Sequence, residues 1–414
     1  MAVQVFTRLP NCLVVGEGAA KTTGEHIRRF GDIKKVIVVT DTGMKALPLV
    51  TDLVDLLTEQ GFETLLFGEV RPLPTDRNVI AAAEKMKEFG AQAVVAIGGG
   101  SAIDCARAAN ALYSYGGACE DHHAPVCKFN YSRNVLLPSF AIPTTAGTGS
   151  EIAAAAGIIR TDPVTGEGVG FTVFTHQMLV PDVSIIDPLM SIGLSPDLTA
   201  STGMDALTHA YEATVSSTEL PLAVGLGLEA IYLVFNNLRT AVFHGDNIQA
   251  RKNMAIAATT ATLSFQINGL GMVHAVSEGL SAYTVVPHGI ANGILLLPVM
   301  KFNAPAALDK MARIATAMGL NTYNLSKHQA AEYAIEEVKS LMRDINMPGT
   351  FTEFFTQREQ MQPELYKPIK REALESTAAF ALKSHFIQTN PRRATAKDIS
   401  AIFEEQFAGY RFAD

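Results

Sequence analysis

The chain has no tryptophan, only four cysteines in 414 residues, no surplus of positive charge and no low-complexity tract. The scarcity of Cys12, Cys105, Cys119 and Cys127 excludes a disulfide-framed secreted scaffold and fits a reducing compartment. With 33 Lys and Arg against 41 Asp and Glu, a net charge of −8 and no basic cluster, nucleic acid is not an expected partner. No uninterrupted apolar run approaches the ~20 residues that cross a bilayer. The opening MAVQVFTRLPNCLVV also lacks a basic segment followed by an apolar one. No membrane partner is therefore expected, and the expected location is the cytoplasm. What is present is a 48% apolar fraction in a chain longer than one hydrophobic core usually serves, which points to two domains.

Up to about residue 188, short β-rich runs alternate with helical stretches. The runs are VIVVT (36–40), ETLLF (63–67), AVVAIGG (93–99), SFAIP (139–143) and VSIID (183–187). Helical periodicity falls between them at about 45–59, 76–89 and 101–113. That alternation predicts a parallel sheet with crossover helices. From about 196 onward, Ala- and Leu-rich helical stretches such as 220–238 and 251–265 take over, predicting an all-helical second domain. Pro188, Gly193 and Pro196 place the boundary in DPLMSIGLSPD (187–197).

Gly98, Gly99 and Gly100 stand between a buried strand and a helix whose first turn holds Ser101 and Asp104. Glycines let backbone approach a phosphate, and a helix N-terminus offers free N–H groups with partial positive charge. The loop therefore reads as a pyrophosphate cradle, although glycines also serve strand-to-helix turns by geometry alone. Ser101 is a candidate N-cap or phosphate donor, and Asp104 three residues on resembles a capping-box partner. Asp41, ending the first strand, is placed either to bond the ribose hydroxyls of NAD or to cap the following helix. The loop PTTAGTGSE (143–151) adds four hydroxyls, Thr144, Thr145, Thr148 and Ser150, able to wrap a cofactor ribose or base.

In GMDALTHAYEA (203–213), Asp205 and His209 are four residues apart on a helix and share a face, with Glu212 on a neighbouring one. Farther on come His274, in a helical stretch, and His288, just after Pro287. Each histidine alone is more often a core or surface residue. Together, one Asp and three His make a ligand set for a borderline divalent metal, which as a Lewis acid would ease hydride loss from an alcohol to a nicotinamide. A second group, Cys119, His122, His123 and Cys127, falls within nine residues; its spacing matches no common zinc motif, and Gly117 and Pro125 suggest an exposed loop.

These positions resemble the iron-containing, group III alcohol dehydrogenases. The matching segments are GGGSAID, PTTAGTGSE, TGMDALTHAYEA, NGLGMVHAVSEGLSA, VPHGIANGILLLPVM and TNPRRAT (389–395), spread over nearly the whole chain. The resemblance implies an α/β fold: an N-terminal Rossmann-like parallel-sheet domain that binds NAD (1–188), followed by an all-helical C-terminal domain (189–414) that carries a catalytic metal in the cleft. It implies an NAD(H)-dependent alcohol dehydrogenase or aldehyde reductase acting on a small alcohol or aldehyde. The metal would be Fe²⁺ first, with Zn²⁺ accepted by the same ligands, Asp205, His209, His274 and His288. Asp41, Gly98, Gly99, Ser101, Thr144, Thr145 and Thr148 would contact NAD, and Phe265, Leu270 and Phe386 would lie near substrate. A homodimer or higher even homo-oligomer is expected. One departure stands out: relatives commonly carry a second histidine one turn after His274, where this chain has Glu278. On a helix Glu278 keeps the His274 face, so it is expected to act in a proton relay or to approach the metal. Gly168 and Ser384 replace a frequent lysine and a frequent acidic residue of the family.

Overall fold

Val36, Ile37, Val38 and Val39 are fully buried, and their alternation divides them between two hydrophobic cores. Ile37 and Val39 join Val94 and Ala96 in one; Val36 and Val38 join Val95 and Ile97 in the other. A strand that buries both faces must be covered by helices on both sides, which is why it reads as a continuous apolar run. The computed structural model describes residues 8–124, 126–166, 168–281, 283–362, 366 and 368–413. Within them the chain divides into two units at Gly193 and Leu194, inside the 187–197 segment.

The first unit contains β1 (Cys12–Val15), α1 (Thr23–Arg28), β2 (Lys35–Asp41), α2 (Pro48–Glu59), β3 (Glu63–Val70), α3 (Asp76–Phe89), β4 (Ala93–Gly98), α4 (Gly100–Tyr115), β5 (Ser139–Pro143), β6 (Ala155–Thr161), β7 (Gly168–Thr175) and β8 (Val183–Ile186). Six strands form a parallel sheet in the order β1-β8-β5-β4-β2-β3. The connections leave in opposite directions from β2 and β4. The crevice at the carboxyl ends of this adjacent pair is the topological switch where doubly wound sheets take ligands.

β6 and β7 pair antiparallel as a separate hairpin that the sequence reading did not anticipate. The alanine run 153–156 leads into β6, with Ala153 and Ala156 buried. Asp104 and Arg107 fasten the hairpin to α4. The buried Arg107 guanidinium bonds Asp104 Oδ1 at 2.6 Å and donates to the carbonyls of Ala153 and Ala155, while Asp104 Oδ2 accepts from Gly157 N at 2.8 Å.

The Cys119 group is neither an exposed loop nor a metal set. His122 is fully buried with both ring nitrogens occupied, Nδ1 by the Tyr131 hydroxyl at 2.7 Å and Nε2 by the Gly116 carbonyl at 2.8 Å. Its ring stacks on Phe129 at 4.4 Å. Cys119, also buried, lies 3.8 Å from His123 Nε2, and burial pushes its thiol up to about 12. Pro125 lies outside the described residues, as do residues 1–7 of the opening segment.

The second unit is helical: α5 (Pro196–Val215), α6 (Pro221–Phe243), α7 (Ile248–Asn268), α8 (Met272–Ser281), α9 (His288–Asn303), α10 (Leu308–Ala317), α11 (Lys327–Asp344), α12 (Phe351–Met361), α13 (Arg371–Lys383) and α14 (Ala396–Gln406). α5 starts at Pro196, with the Ser195 hydroxyl accepting from Leu198 N, and it is buried along nearly its whole length against α6, α7 and α9. A helix buried on every side has no polar face to spare, so Asp205, His209 and Glu212 on it must find partners inside. By length and composition α6 is apolar enough to cross a bilayer, although Glu229, Asn236, Asn237 and Arg239 interrupt its apolar run; here its buried stripe, from Ala223 to Val242, packs on α5 and α7.

Replacing Arg107 by Leu would leave the half-buried Asp104 without its cation and free two carbonyls. Destabilisation of roughly 3–5 kcal/mol is expected, read as a lowered midpoint in thermal unfolding followed by circular dichroism; a midpoint within a degree or so of the wild type would contradict this role.

Candidate metal centre and cofactor loops

Asp205 and His209 project from one face of α5, one turn apart, His274 from the first turn of α8, and His288 opens α9 directly after Pro287. Their ligand atoms lie within 4.8 Å of one another. Asp205 Oδ1 is 3.9 Å from His209 Nε2, 3.9 Å from His274 Nε2 and 3.6 Å from His288 Nε2. All but His288 are buried.

Burial drives the His209 imidazole down to about 4 and that of His274 down to about 3, so both are neutral near pH 7 with ring lone pairs to offer. Burial works against the Asp205 charge as well, but the surrounding imidazoles and the Asn292 amide hold its carboxyl below the usual range. A charged carboxylate beside neutral imidazoles, with His209 Nδ1 and Asn292 Oδ1 buried and unpartnered among the described residues, is a donor set fitted to a cation. It suits a borderline divalent ion.

Two residues that the sequence reading left without a role complete the centre. Glu212 is one further turn along α5 and fully buried; its Oε2 accepts from His274 Nδ1 at 2.6 Å and its Oε1 from Val273 N at 2.6 Å. The carboxylate thus fixes the tautomer of His274 and serves the free N–H groups opening α8, where the helix dipole favours it. Burial pushes it up to about 7 against those backbone bonds. The approach needs glycine at 271, where a Cβ would stand 2.9 Å from Glu212 Oε1. Asn292, one turn after His288, places Nδ2 at 2.7 Å from Asp205 Oδ1, 3.1 Å from His274 Nε2 and 3.0 Å from His288 Nε2. The pattern HxxxN, a helical pair sharing a face, was the signal available for it.

Around this centre, the Phe265 ring lies 4.8 Å from that of His209 and the Phe386 ring 6.4 Å from that of His274. Leu270 is buried in the turn between α7 and α8, its carbonyl held by the Thr389 hydroxyl. Asn390 ties the same turn down, its Oδ1 accepting from Met272 N at 3.1 Å and from Asn303 Nδ2 at 3.0 Å. Glu278 follows His274 by one turn of α8 and is half-buried, and its carboxyl makes no hydrogen bond or ion pair among the described residues. Burial first, and the Glu212 charge second, raise it well above the ordinary carboxyl range. Ser384, at the family's acidic position, caps the following turn through Phe386 N at 3.3 Å.

In the first unit the cofactor candidates gather at the carboxyl ends of β2, β4 and β5. Gly98, at φ +153°, takes a backbone conformation that side chains avoid. α4 begins at Gly100 with Gly99 as its N-cap and no side chain closing that end, which corrects the capping roles given to Ser101 and Asp104. Ser101 Oγ instead accepts from Leu73 N at 3.2 Å, and both Asp104 oxygens serve the hairpin. Asp41 Oδ1 accepts from Gly43 N at 2.9 Å and Met44 N at 3.1 Å, capping a turn rather than α2, which starts only at Pro48; Oδ2 faces Gly98. Thr144 N bonds the Gly98 carbonyl at 3.0 Å, while Thr145 lies against Gly99 and Thr148 against Gly100. Ser150 is buried, its N bonded to Thr148 Oγ1 at 3.3 Å. A glycine loop at an uncapped helix start, walled by threonines, fits a dinucleotide phosphate.

Comparison with known proteins agrees with this geometry. The iron-containing alcohol dehydrogenase pattern matches residues 10–188, and that of the Fe-containing alcohol dehydrogenase family, C-terminal, matches 199–407. The chain is 35% identical to the 1,3-propanediol dehydrogenase of Citrobacter freundii, covering 98% of this chain and 100% of that one. It is 32% identical to the NAD-dependent methanol dehydrogenase of Bacillus methanolicus, over 96% and 98% of the two chains. A crystal structure of 1,3-propanediol oxidoreductase superposes with a TM-score of 0.88 at 34% identity, covering 98% of this chain and 100% of the other. With the parallel sheet, the glycine loop and the Asp-His-His-His cluster all in place, the chain belongs to the iron-containing alcohol dehydrogenase family.

Proposed function

We propose that this chain is an NAD(H)-dependent alcohol dehydrogenase and aldehyde reductase that works on a small alcohol or aldehyde at a divalent ion, Fe²⁺ first and Zn²⁺ as the alternative, held by Asp205, His209, His274 and His288. The observation that carries the reading is the cluster itself: four donor atoms within 4.8 Å, two of them on imidazoles that burial keeps neutral. When bound, such an ion acidifies an alcohol and polarises a carbonyl.

The protein's own groups do the rest. Gly98, Gly99, Gly100 and the first turn of α4 take the cofactor pyrophosphate, Thr144, Thr145 and Thr148 line it, and Asp41 Oδ2 is the free carboxylate oxygen for a ribose hydroxyl. Phe265 and Phe386 present apolar faces and exclude water from the rings of His209 and His274. Glu212 keeps the proton of His274 on Nδ1, so that Nε2 faces the cluster. A nicotinamide bound there would supply the redox chemistry, taking up the carbinol hydrogen as hydride in oxidation and giving it back in reduction; Glu278 accepts the hydroxyl proton of the alcohol and returns it when an aldehyde is reduced. Its lack of a partner and its raised affinity for a proton support that role. The free state of all four cysteines supports a cytoplasmic location. An even homo-oligomer, with no nucleic-acid or membrane partner, completes the proposal.

Purified protein is expected to contain a stoichiometric divalent metal and to oxidise NADH, followed at 340 nm, when short aldehydes are supplied, with loss on chelation and recovery on adding Fe²⁺; NAD binding with neither metal nor turnover would overturn the reading. Changing Glu212→Gln should weaken metal binding roughly 10- to 100-fold, measured by chelator competition, and wild-type affinity would remove Glu212 from the centre. Glu278→Gln should lower alcohol oxidation by roughly 10²-fold or more, while Glu278→His restores turnover and moves the acid limb of the pH profile toward the imidazole range. If both variants keep the wild-type rate and substrate preference, Glu278 is not the proton acceptor.

A further inference from the structure

Leu73 is the one apolar side chain among the described residues carried on a left-handed backbone, at φ +56°. The other three non-glycine residues in that region are polar: Asn324 and Asn346, of a type that tolerates it, and Glu219, whose carboxylate pairs with Lys310 at 2.8 Å. A leucine has no local hydrogen bond to offset the crowding of its Cβ. The setting adds to the strain, because Leu73 stands between Pro72 and Pro74 and a residue before proline is pushed toward extended backbone.

Several anchors hold the loop in this form. The Leu73 N–H donates to Ser101 Oγ at 3.2 Å and Ile159 N to the Pro74 carbonyl at 2.8 Å. Just beyond, the capping box of Thr75 and Asn78 closes α3, with Asn78 Nδ2 on the Glu69 carbonyl at 3.0 Å. A joint between β3 and α3 has no need of leucine at this place, since glycine or asparagine takes the same backbone with less strain. Nor does the side chain serve packing: half-buried, it belongs to neither hydrophobic core of the unit. Strain kept in place by so many bonds, on a residue without a packing duty, is characteristic of ligand clamps.

The path of the loop shows what it would clamp. Val70, ending β3, pairs with Asp41, and its carbonyl accepts from Thr42 N at 2.9 Å. Three residues later the chain has reached Ser101, in the first turn of α4 behind Gly98 and Gly99. Residues 71–73 therefore run along the carboxyl edge of the sheet, from the carboxylate read as a ribose partner to the helix start read as the pyrophosphate cradle. In the same crevice the Thr40 hydroxyl is fully buried with no partner among the described residues, 3.8 Å from where a Cβ on Gly98 would stand. The ground between a ribose and a pyrophosphate belongs to the adenosine half of a dinucleotide.

We propose that Leu73 is a cofactor-binding residue whose strained backbone sets its side chain against the adenosine half of NAD(H) as an apolar wall. Its N–H has a second effect. By occupying a lone pair of Ser101 Oγ, it leaves the Ser101 hydroxyl hydrogen to be donated to a phosphate oxygen. This inference rests on the cofactor reading above.

The test measures binding of NADH, by its fluorescence, and of ADP-ribose, which lacks the nicotinamide, by calorimetry, to full-length wild type, Leu73→Ala, Leu73→Met and Leu73→Gly. Leu73→Ala keeps the N–H and the backbone restriction and lacks the wall. It should bind both ligands roughly 10-fold more weakly, with the loss in turnover falling on KM for NADH rather than on kcat, and Leu73→Met should recover most of the affinity. Leu73→Gly also relieves the backbone: it should melt no lower than Leu73→Ala and bind no more tightly. Wild-type affinity for ADP-ribose in Leu73→Ala or Leu73→Gly would overturn the proposal while leaving the cofactor site standing. So would a Leu73→Met no tighter than Leu73→Ala, or a loss confined to NADH, which would put the side chain at the nicotinamide half. If Leu73→Ala shows no cooperative unfolding, Leu73→Gly decides in its place. A wild type that binds neither NADH nor ADP-ribose would overturn the cofactor reading and this inference with it.

Discussion

The second unit is organised around charges that it has buried. Asp205 and Glu212 sit two turns apart on a helix with almost no exposed surface, and a carboxylate in such a place is costly unless something answers it. Glu212 is answered by the chain: the Val273 N–H, the His274 Nδ1 proton and the start of α8 all face it. Asp205 is answered only in part, by the Asn292 amide and by imidazoles too deeply buried to carry a proton near pH 7. The remaining demand is for a cation. Much of the local architecture follows from meeting these two demands: Gly271 because a side chain would collide with Glu212, Asn390 because the turn into α8 must hold still, and Pro287 because His288 must enter at the first position of α9.

The first unit answers a different constraint, which is to bring backbone N–H groups to one edge of a sheet while keeping that edge rigid. Alternate residues of β2 and β4 feed two separate cores, so the strand ends are fixed from both faces. α3 is closed by a full capping box between Thr75 and Asn78, whereas α4 begins at Gly100 behind Gly98 and Gly99 with no side-chain cap. Leaving a helix start unserved is destabilising in a protein with no ligand and useful in one that binds an anion. Asp104, which looks like part of that loop in the sequence, works with Arg107 on the opposite problem, securing the β6–β7 hairpin.

The sequence alone determined the features that depend on local order. Runs such as VIVV and AVVAIG can only be strands covered on both faces, so the α/β half was legible. Asp205 and His209, four apart on a helix, had to share a face whatever surrounded them. The metal set followed from ligand types, and the resemblance of six segments to one family supplied the pairing with His274 and His288. Which side chains answered which others was decided by tertiary structure. Nothing in the spacing of Glu212 and His274, 62 residues apart, joins them at 2.6 Å. Asn292 looked like any polar residue on a helix until the fold set it against three donors. Cys119, His122, His123 and Cys127 had the composition of a metal site, but the stacking of Phe129 and the hydroxyl of Tyr131 used up His122. Periodicity and residue type act over a few bonds and can be read along the chain; the satisfaction of a buried charge depends on which distant groups packing brings within about 3 Å.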